Sequence, residues 1–281
     1  MRTVNTEIIK NKITELFITA NYELPADILD KIKRSIAEED LPIAKSILEK
    51  LVENCQAAKE INVPICQDTG MAVVFIEIGR QVYLEGEPLE DSVNEGVRIA
   101  YDVGYMRKSV VRDPLFDRKN TDDNTPALIY TRIVEGDEIH ITAAPKGFGS
   151  ENMSAVRMFT PSAKREDIVD FVVSVMKNAG SNPCPPVIIG VGLGGDFEYA
   201  AYLSKKALIR DISVRNTKPE YAELECEILE KINDTFIGPQ GFGGKTTCLA
   251  VNIEYFPTHI AGLPCAVNVG CHVTRHASCV I

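Results

Sequence analysis

Pro64-Ile65-Cys66-Gln67-Asp68-Thr69-Gly70 places a thiol, an amide, a carboxylate and a hydroxyl on four successive residues, just ahead of the apolar run Ala72-Val73-Val74-Phe75-Ile76-Glu77-Ile78. The residues before the stretch repeat with helical spacing and the run after it reads as a buried strand, so the polar groups crowd a turn between two rigid elements. Functional groups gather in such turns because the scaffold on either side holds them still.

Two further cysteines stand in similar settings. Cys184 lies in Asn182-Pro183-Cys184-Pro185-Pro186, where the prolines exclude both regular helix and central strand. Cys271 closes the strand-like Cys265-Ala266-Val267-Asn268-Val269-Gly270 and is followed by His272. Three thiols brought to turns are read here as ligands converging on one iron–sulfur cluster. Their spacing alone does not separate this from a catalytic zinc with the same ligand count.

The remaining composition narrows the classes. Eight cysteines in a chain whose N-terminus lacks a basic-then-apolar leader are not expected to form a disulfide framework, and no Cys-x-x-Cys occurs. A formal charge of -10 argues against a non-specific nucleic-acid binder. Since no apolar run is long enough to span a bilayer, a membrane role is not expected, and a cytoplasmic location is. An acidic chain holds an anion only where a few cations, Arg107, Lys146, Lys245 and Arg275 among them, are focused on one cleft.

Outward from the first stretch, residues 1–60 read as a helical N-terminal segment. Ile9, Ile13, Leu16, Phe17 and Ala20 face inward on its first helix, Ile28, Ile32 and Ile36 on its second, and Ile43, Ile47, Leu51 and Val52 on its third. Cys55 on the third helix and Cys226 on a later one read as structural. After Ala72–Ile78 come a partner strand at Gln81–Leu84, a helix over 89–105, and the strands Ala127–Val134 and Glu138–Ala144, joined by the turn Glu135-Gly136-Asp137 as a hairpin. Lys146-Gly147-Phe148-Gly149-Ser150 follows, its alternating glycines allowing main chain to approach a ligand. Strands pairing through tight turns and mixed with long helices give an α+β fold with largely antiparallel strands. One compact cluster-binding domain, residues 1–281, is expected behind the helical segment.

Two glycine clusters invite nucleotide readings that fail. Gly192-Leu193-Gly194-Gly195 lacks the Gly-x-Gly-x-x-Gly spacing, and Gly238-Pro239-Gln240-Gly241-Phe242-Gly243-Gly244-Lys245-Thr246 misses the phosphate-loop pattern by one residue. Asn120, Thr121 and Asn124 read as turn formers. His259 is one of four histidines and by itself reads as a local hydrogen-bonding group, as do His272 and His276.

Ile65 to Gly70, Lys146 to Ser150, Cys184-Pro185-Pro186, Gly241 to Lys245 and the His259 to Cys271 segment together resemble the iron–sulfur-dependent class I fumarate hydratases and the related L-tartrate dehydratases, in order and over about three quarters of the chain. The resemblance implies a [4Fe-4S] cluster held by Cys66, Cys184 and Cys271, with one iron not ligated by cysteine. It implies that Gln67, Asp68, Arg107, Gly147 and Gly149 hold a small dicarboxylate, and that Asp68 and His259 transfer protons. A three-thiolate cluster keeps one iron open to act as Lewis acid on a leaving hydroxyl, and leaves it exposed to oxygen. The expected function is therefore the alpha subunit of a hydro-lyase interconverting malate and fumarate, with L(+)-tartrate dehydration as the alternative. A non-catalytic iron–sulfur protein is the less favoured class, since it would need the thiols but not Gln67, Asp68, Arg107 and His259. Because the chain stops at Ile281, where single-chain relatives continue, a beta subunit is expected to complete the site in an assembly of two alpha and two beta chains.

Overall fold

The computed structural model describes residues 1–281. Along the chain lie β1 (Arg2–Asn5), α1 (Thr6–Tyr22), α2 (Ala26–Glu38), α3 (Pro42–Ile61), β2 (Met71–Gly79), β3 (Val82–Glu85), α4 (Leu89–Val103), β4 (Leu128–Val134), β5 (Ile139–Lys146) and α5 (Phe148–Glu151). They are followed by β6 (Ala155–Phe159), α6 (Arg165–Ala179), β7 (Val187–Gly195), α7 (Phe197–Ala207), α8 (Pro219–Asn233), β8 (Cys248–Thr258), β9 (Leu263–Gly270) and β10 (Ala277–Val280). This is an α+β fold, as the sequence reading has it. The contacts partition into two compact units, one of Met1–Pro25, Asn54–Phe148 and Arg275–Ile281, the other of Ala26–Glu53 and Gly149–Thr274. The helical N-terminal segment is thus shared between units rather than standing apart. No helix is long and apolar enough to cross a membrane.

In the first unit a four-stranded sheet runs in the order β10-β5-β2-β4. Its apolar central strand β2 is flanked by β4 in parallel and β5 in antiparallel register. Helices α1 and α4 supply the rest of the core, with Ile9, Ile13, Phe17, Val93, Val97 and Tyr101 packed on Val74, Ile76, Ile139 and Ile141. Helix α1 begins where the Asn5 side chain accepts the Glu7 N–H at 2.8 Å, satisfying one of the open donors of its first turn.

Two pairing expectations are corrected here. The strands on either side of Glu135-Gly136-Asp137 do not form a hairpin, because β2 lies between them and takes a partner on each side. The connection bends around the end of β2 instead: Gly79 N–H donates to the Glu138 carbonyl at 2.8 Å, and a Cβ at 79 would stand 2.6 Å from the Gly136 carbonyl. Strand β3, expected beside β2, pairs in parallel with the N-terminal β1, while residues 79–81 bond to the turn after β4.

The second unit repeats the three-strand core of this sheet with different sequence, but its fourth strand, β6, precedes the central strand in the chain where β10 follows it. Its sheet runs β6-β9-β7-β8, with the buried central strand β7 parallel to β8 and antiparallel to β9. Residues 259–262 turn around the end of β7 as residues 135–138 do around β2. Helices α6 and α8 cover the sheet through Val169, Val172, Met176 and Ile228, packed on Ile189, Val191, Val251 and Val267. On α3 the inward positions are Ala44 and Leu48, both fully buried, whereas Ile43 is 49% exposed. The i, i+4 pair 44/48 sets the helix face, and Ile43 falls one position off it.

The shared topology has a geometric consequence. In each sheet the loop entering the central strand lies beside the loop leaving its antiparallel neighbour, since Met71 pairs with Lys146 in one and Ile188 with Gly270 in the other. Cys66 to Gly70 and Gly147 occupy that end of the first sheet, and Cys184 and Cys271 that end of the second.

Candidate active site

In the first unit the loop is anchored at Ile65, whose N–H donates to the Asn21 carbonyl and whose carbonyl accepts from Asn54 Nδ2, both at 2.9 Å. Cys66 is half-buried and its Sγ donates to Gln67 Oε1 at 3.4 Å, with the Gln67 side chain exposed. Asp68 is half-buried and held by both carboxylate oxygens: Oδ1 accepts Gly70 N–H at 3.0 Å and Oδ2 accepts Phe148 N–H at 2.9 Å. Each oxygen keeps a further lone pair for a ligand. The amide at 148, expected to face a bound anion, therefore serves Asp68. Gly147 leaves room for that carboxylate, since a Cβ there would lie 3.0 Å from Oδ2.

Three successive carbonyls of this turn accept from buried side chains. Arg275 Nη2 donates to Asp68 O, the Tyr101 hydroxyl lies within hydrogen-bond reach of Thr69 O (2.8 Å) and Gly70 O (2.9 Å), and Asn124 Nδ2 donates to Gly70 O at 3.2 Å. Burial pushes the Tyr101 phenol well above its ordinary range, which keeps it protonated as a donor. Thr69 fixes the neighbouring segment from both sides, its hydroxyl accepting Arg107 N–H at 2.9 Å and donating to Arg107 O at 3.1 Å. The main chain at Arg107 is thus rigid while its side chain is exposed and pairs with no carboxylate of the chain. Asn120 and Asn124 act as turn formers, donating to Lys108 O at 2.8 Å and accepting Ser109 N–H at 2.7 Å respectively.

In the second unit Cys184 is exposed at a positive φ of 54°. Its carbonyl is bonded to His272, at 3.4 Å from the main-chain N–H and 2.9 Å from ring Nδ1. Because His272 follows Cys271, this pair of bonds ties the two thiol-bearing loops together. Gln240, from the glycine-rich loop, adds two donors to the next carbonyl, Pro185 O, at 2.8 Å from its N–H and 2.7 Å from Nε2. The Gly241 to Lys245 stretch itself wraps Glu39, whose buried carboxylate accepts Lys245 N–H at 2.8 Å. Gly149 lies within the short helix α5, which ends at Glu151; that carboxylate bonds Lys205 at 2.5 Å and the buried Asn268 at 3.1 Å.

The other five thiols fall into two groups. Burial pushes the Cys248 and Cys265 thiols up to about 12, and raises those of Cys55 and Cys279, so all four resist becoming thiolate ligands. Cys226 is exposed on α8. Lys245, expected to serve the cleft, is instead paired with Asp40 at the surface. His259, expected beside the thiols, sits exposed in the turn after β8 at the exit end of β7, the opposite end of the second sheet from Cys184 and Cys271, and its Nδ1 accepts Ala261 N–H at 3.1 Å. Tyr101 and Gln240 escape the sequence reading: both act on main-chain carbonyls distant in sequence, a role with no local signature.

In the first unit a turn carrying Cys66 and a fixed carboxylate is bonded to the rigid segment that bears the exposed Arg107; in the second, two thiol-bearing loops are tied together at the entrance to the central strand. The chain belongs to a hydro-lyase family: the family model described as Fumarate hydratase (Fumerase) matches residues 10–280. It is similar to a protein of Methanocaldococcus jannaschii provisionally named L(+)-tartrate dehydratase subunit alpha, 40% identical over 275 residues, covering 96% of each chain. It is also similar to the L(+)-tartrate dehydratase subunit alpha of Escherichia coli O157:H7 and that of Shigella sonnei, each 33% identical over 281 residues, covering 96% of this chain and 91% of the relative.

Proposed function

We propose that this chain is the alpha subunit of a [4Fe-4S] hydro-lyase that removes water from a hydroxydicarboxylate, with L(+)-tartrate as substrate ahead of malate. The substrate order departs from the first expectation from sequence, because the relatives aligned over nearly their whole length are named for tartrate. Malate–fumarate interconversion stays as the second reading, on the description of the matching family.

The observation that carries the reading is the loop geometry at the strand entrances. His272 ties Cys271 to the Cys184 loop, and a clamped turn fixes Cys66 beside Asp68. These thiols fit a cluster by donor chemistry: they are soft ligands on loops open to solvent, while four of the other five are raised by burial. Cys66, Cys184 and Cys271 would hold the cluster, which when bound supplies a Lewis-acidic iron for the leaving hydroxyl.

The chain's own residues do the rest. Arg107 offers a planar fork to one substrate carboxylate from a rigid main chain. Gln67, exposed next to the thiol, offers amide hydrogen bonds to substrate oxygens. Asp68 accepts from the amides of 70 and 148 and keeps lone pairs for substrate and for its proton; His259, at the opposite end of the second sheet from Cys184 and Cys271, is left out of this site. Gly147 keeps the approach to this loop clear. The relatives' alpha label supports a beta subunit as partner, in an assembly of two alpha and two beta chains, and we place the enzyme in the cytoplasm. The test is turnover of L(+)-tartrate, malate and fumarate by the anaerobically reconstituted chain coexpressed with its beta partner. Higher kcat/KM on L(+)-tartrate is expected; turnover of malate alone would move the assignment to fumarate hydratase, and none with an intact cluster would remove the enzyme reading.

A further inference from the structure

Arg275 is only 3% exposed, yet no carboxylate pairs with it. Its Nη2 donates to the Asp68 carbonyl and its buried Nε has no acceptor. The chain treats other buried charges differently: Glu225, fully buried, receives Arg210 and the Ile253 N–H at 2.8 Å, and Glu39 receives the amides of 245 and 246. Burying an unpaired guanidinium is costly unless a counter-charge arrives. Arg275 is attached to the very turn that holds Cys66 and Asp68, beside Tyr101 and Asn124, which bind the next two carbonyls.

We propose that Arg275 is a positioning residue whose buried positive charge makes the Cys66–Gly70 loop dependent on a bound anion, the thiolate-held cluster. The inference rests on the cluster reading above. At 3% exposure the guanidinium does not serve as a substrate contact; it acts through the Asp68 carbonyl and through its charge. Tyr101 and Asn124 hold the same turn without charge, so the geometric and electrostatic contributions can be separated by substitution. Arg275→Gln keeps an N–H donor and removes the charge, Arg275→Lys keeps the charge and loses the planar fork, and Tyr101→Phe removes one uncharged clamp.

The test is anaerobic reconstitution of the full chain and its three variants, followed by loss of visible charge-transfer absorbance in the presence of an iron chelator, with far-ultraviolet circular dichroism to confirm folding. Arg275→Gln is expected to release the cluster about tenfold faster than the unsubstituted chain, as loss of one charge-assisted interaction implies. Arg275→Lys and Tyr101→Phe should stay within about threefold of it. Thermal midpoints of the metal-free proteins give a second readout that a purely structural role would not produce: Arg275→Gln should be no less stable than the unsubstituted chain, and should gain less on loading. If Arg275→Gln retains the cluster and gains as much stability on loading as the unsubstituted chain, the inference is overturned and the ligand assignment stands. If the unsubstituted chain binds no iron and sulfide at all, the ligand assignment falls and this inference with it.

Discussion

Gly147→Ala is the sharpest probe of the Asp68 carboxylate. A Cβ at 147 would stand 3.0 Å from Oδ2 and 3.4 Å from Cγ. The carboxylate cannot simply step aside, since Oδ2 is bonded to Phe148 N–H at 2.9 Å and Oδ1 to Gly70 N–H at 3.0 Å. Relief requires lengthening the Phe148 bond, and a hydrogen bond to a charged group contributes about 1.5–3 kcal/mol. Alanine also restricts the unfolded chain, which returns about 0.4–1 kcal/mol of stability. The net loss of stability should therefore be about 1–2 kcal/mol, while kcat/KM falls by about 10–150-fold if Asp68 acts in the transition state. The assay is steady-state kinetics on L(+)-tartrate with the beta partner present, beside a denaturant titration. Gly136→Ala is the control: it strains a turn at φ 107° with open space around it and should cost stability without lowering kcat/KM. Unchanged kcat/KM in a folded Gly147→Ala protein would refute the role given to Asp68.

Arg107→Lys should lower kcat/KM by about 1–3 kcal/mol of transition-state binding while leaving folding stability within about 0.5 kcal/mol, because Thr69 holds the main chain and the side chain has no partner to lose; equal effects on both would argue for a structural arginine. His259→Asn should leave turnover and the cluster spectrum unaltered, since His259 caps a turn at the opposite end of the second sheet from Cys184 and Cys271; a loss of about a hundredfold or more would return it to proton transfer. Alkylation at pH 8 should modify Cys226 in the cluster-loaded protein and spare Cys248 and Cys265; labelling of either buried thiol in folded protein would contradict their burial. Since those two thiols are raised to about 12 when folded and ionise near 8.5 when free, the unfolded chain loses their protons first, so stability should fall as pH rises from about 9 towards 12; a flat profile there would contradict the shifts.

Helices were legible because their apolar faces repeat: Ile9, Ile13 and Phe17 on α1, and Val172 and Met176 on α6, are buried as their spacing requires. Strand partners were less so. Glu135-Gly136-Asp137 between two apolar runs is the local signal of a hairpin, yet a central strand as apolar as β2 needs neighbours on both sides, and that demand comes from a segment over fifty residues earlier in sequence. The same limit applies at the candidate site. Cys66, Gln67 and Asp68 stand out because their chemistry is concentrated in one turn. Tyr101, Asn124, Arg275 and Gln240 do not, because each binds main-chain carbonyls that only the fold brings near. Lys245 shows the opposite error: a cation in a glycine-rich loop looks functional until the structure supplies Asp40 beside it.

The central claim is that Cys66, Cys184 and Cys271 together hold an iron–sulfur cluster, and the most direct measurement is iron and labile sulfide per chain after anaerobic reconstitution of single Cys→Ser variants. The unsubstituted chain should bind about four of each, Cys66→Ser, Cys184→Ser and Cys271→Ser should lose the cluster, and Cys226→Ser and Cys265→Ser should keep it. Retention of full iron and sulfide by Cys271→Ser with loss in Cys265→Ser, or binding of a single zinc without sulfide, would contradict the assignment.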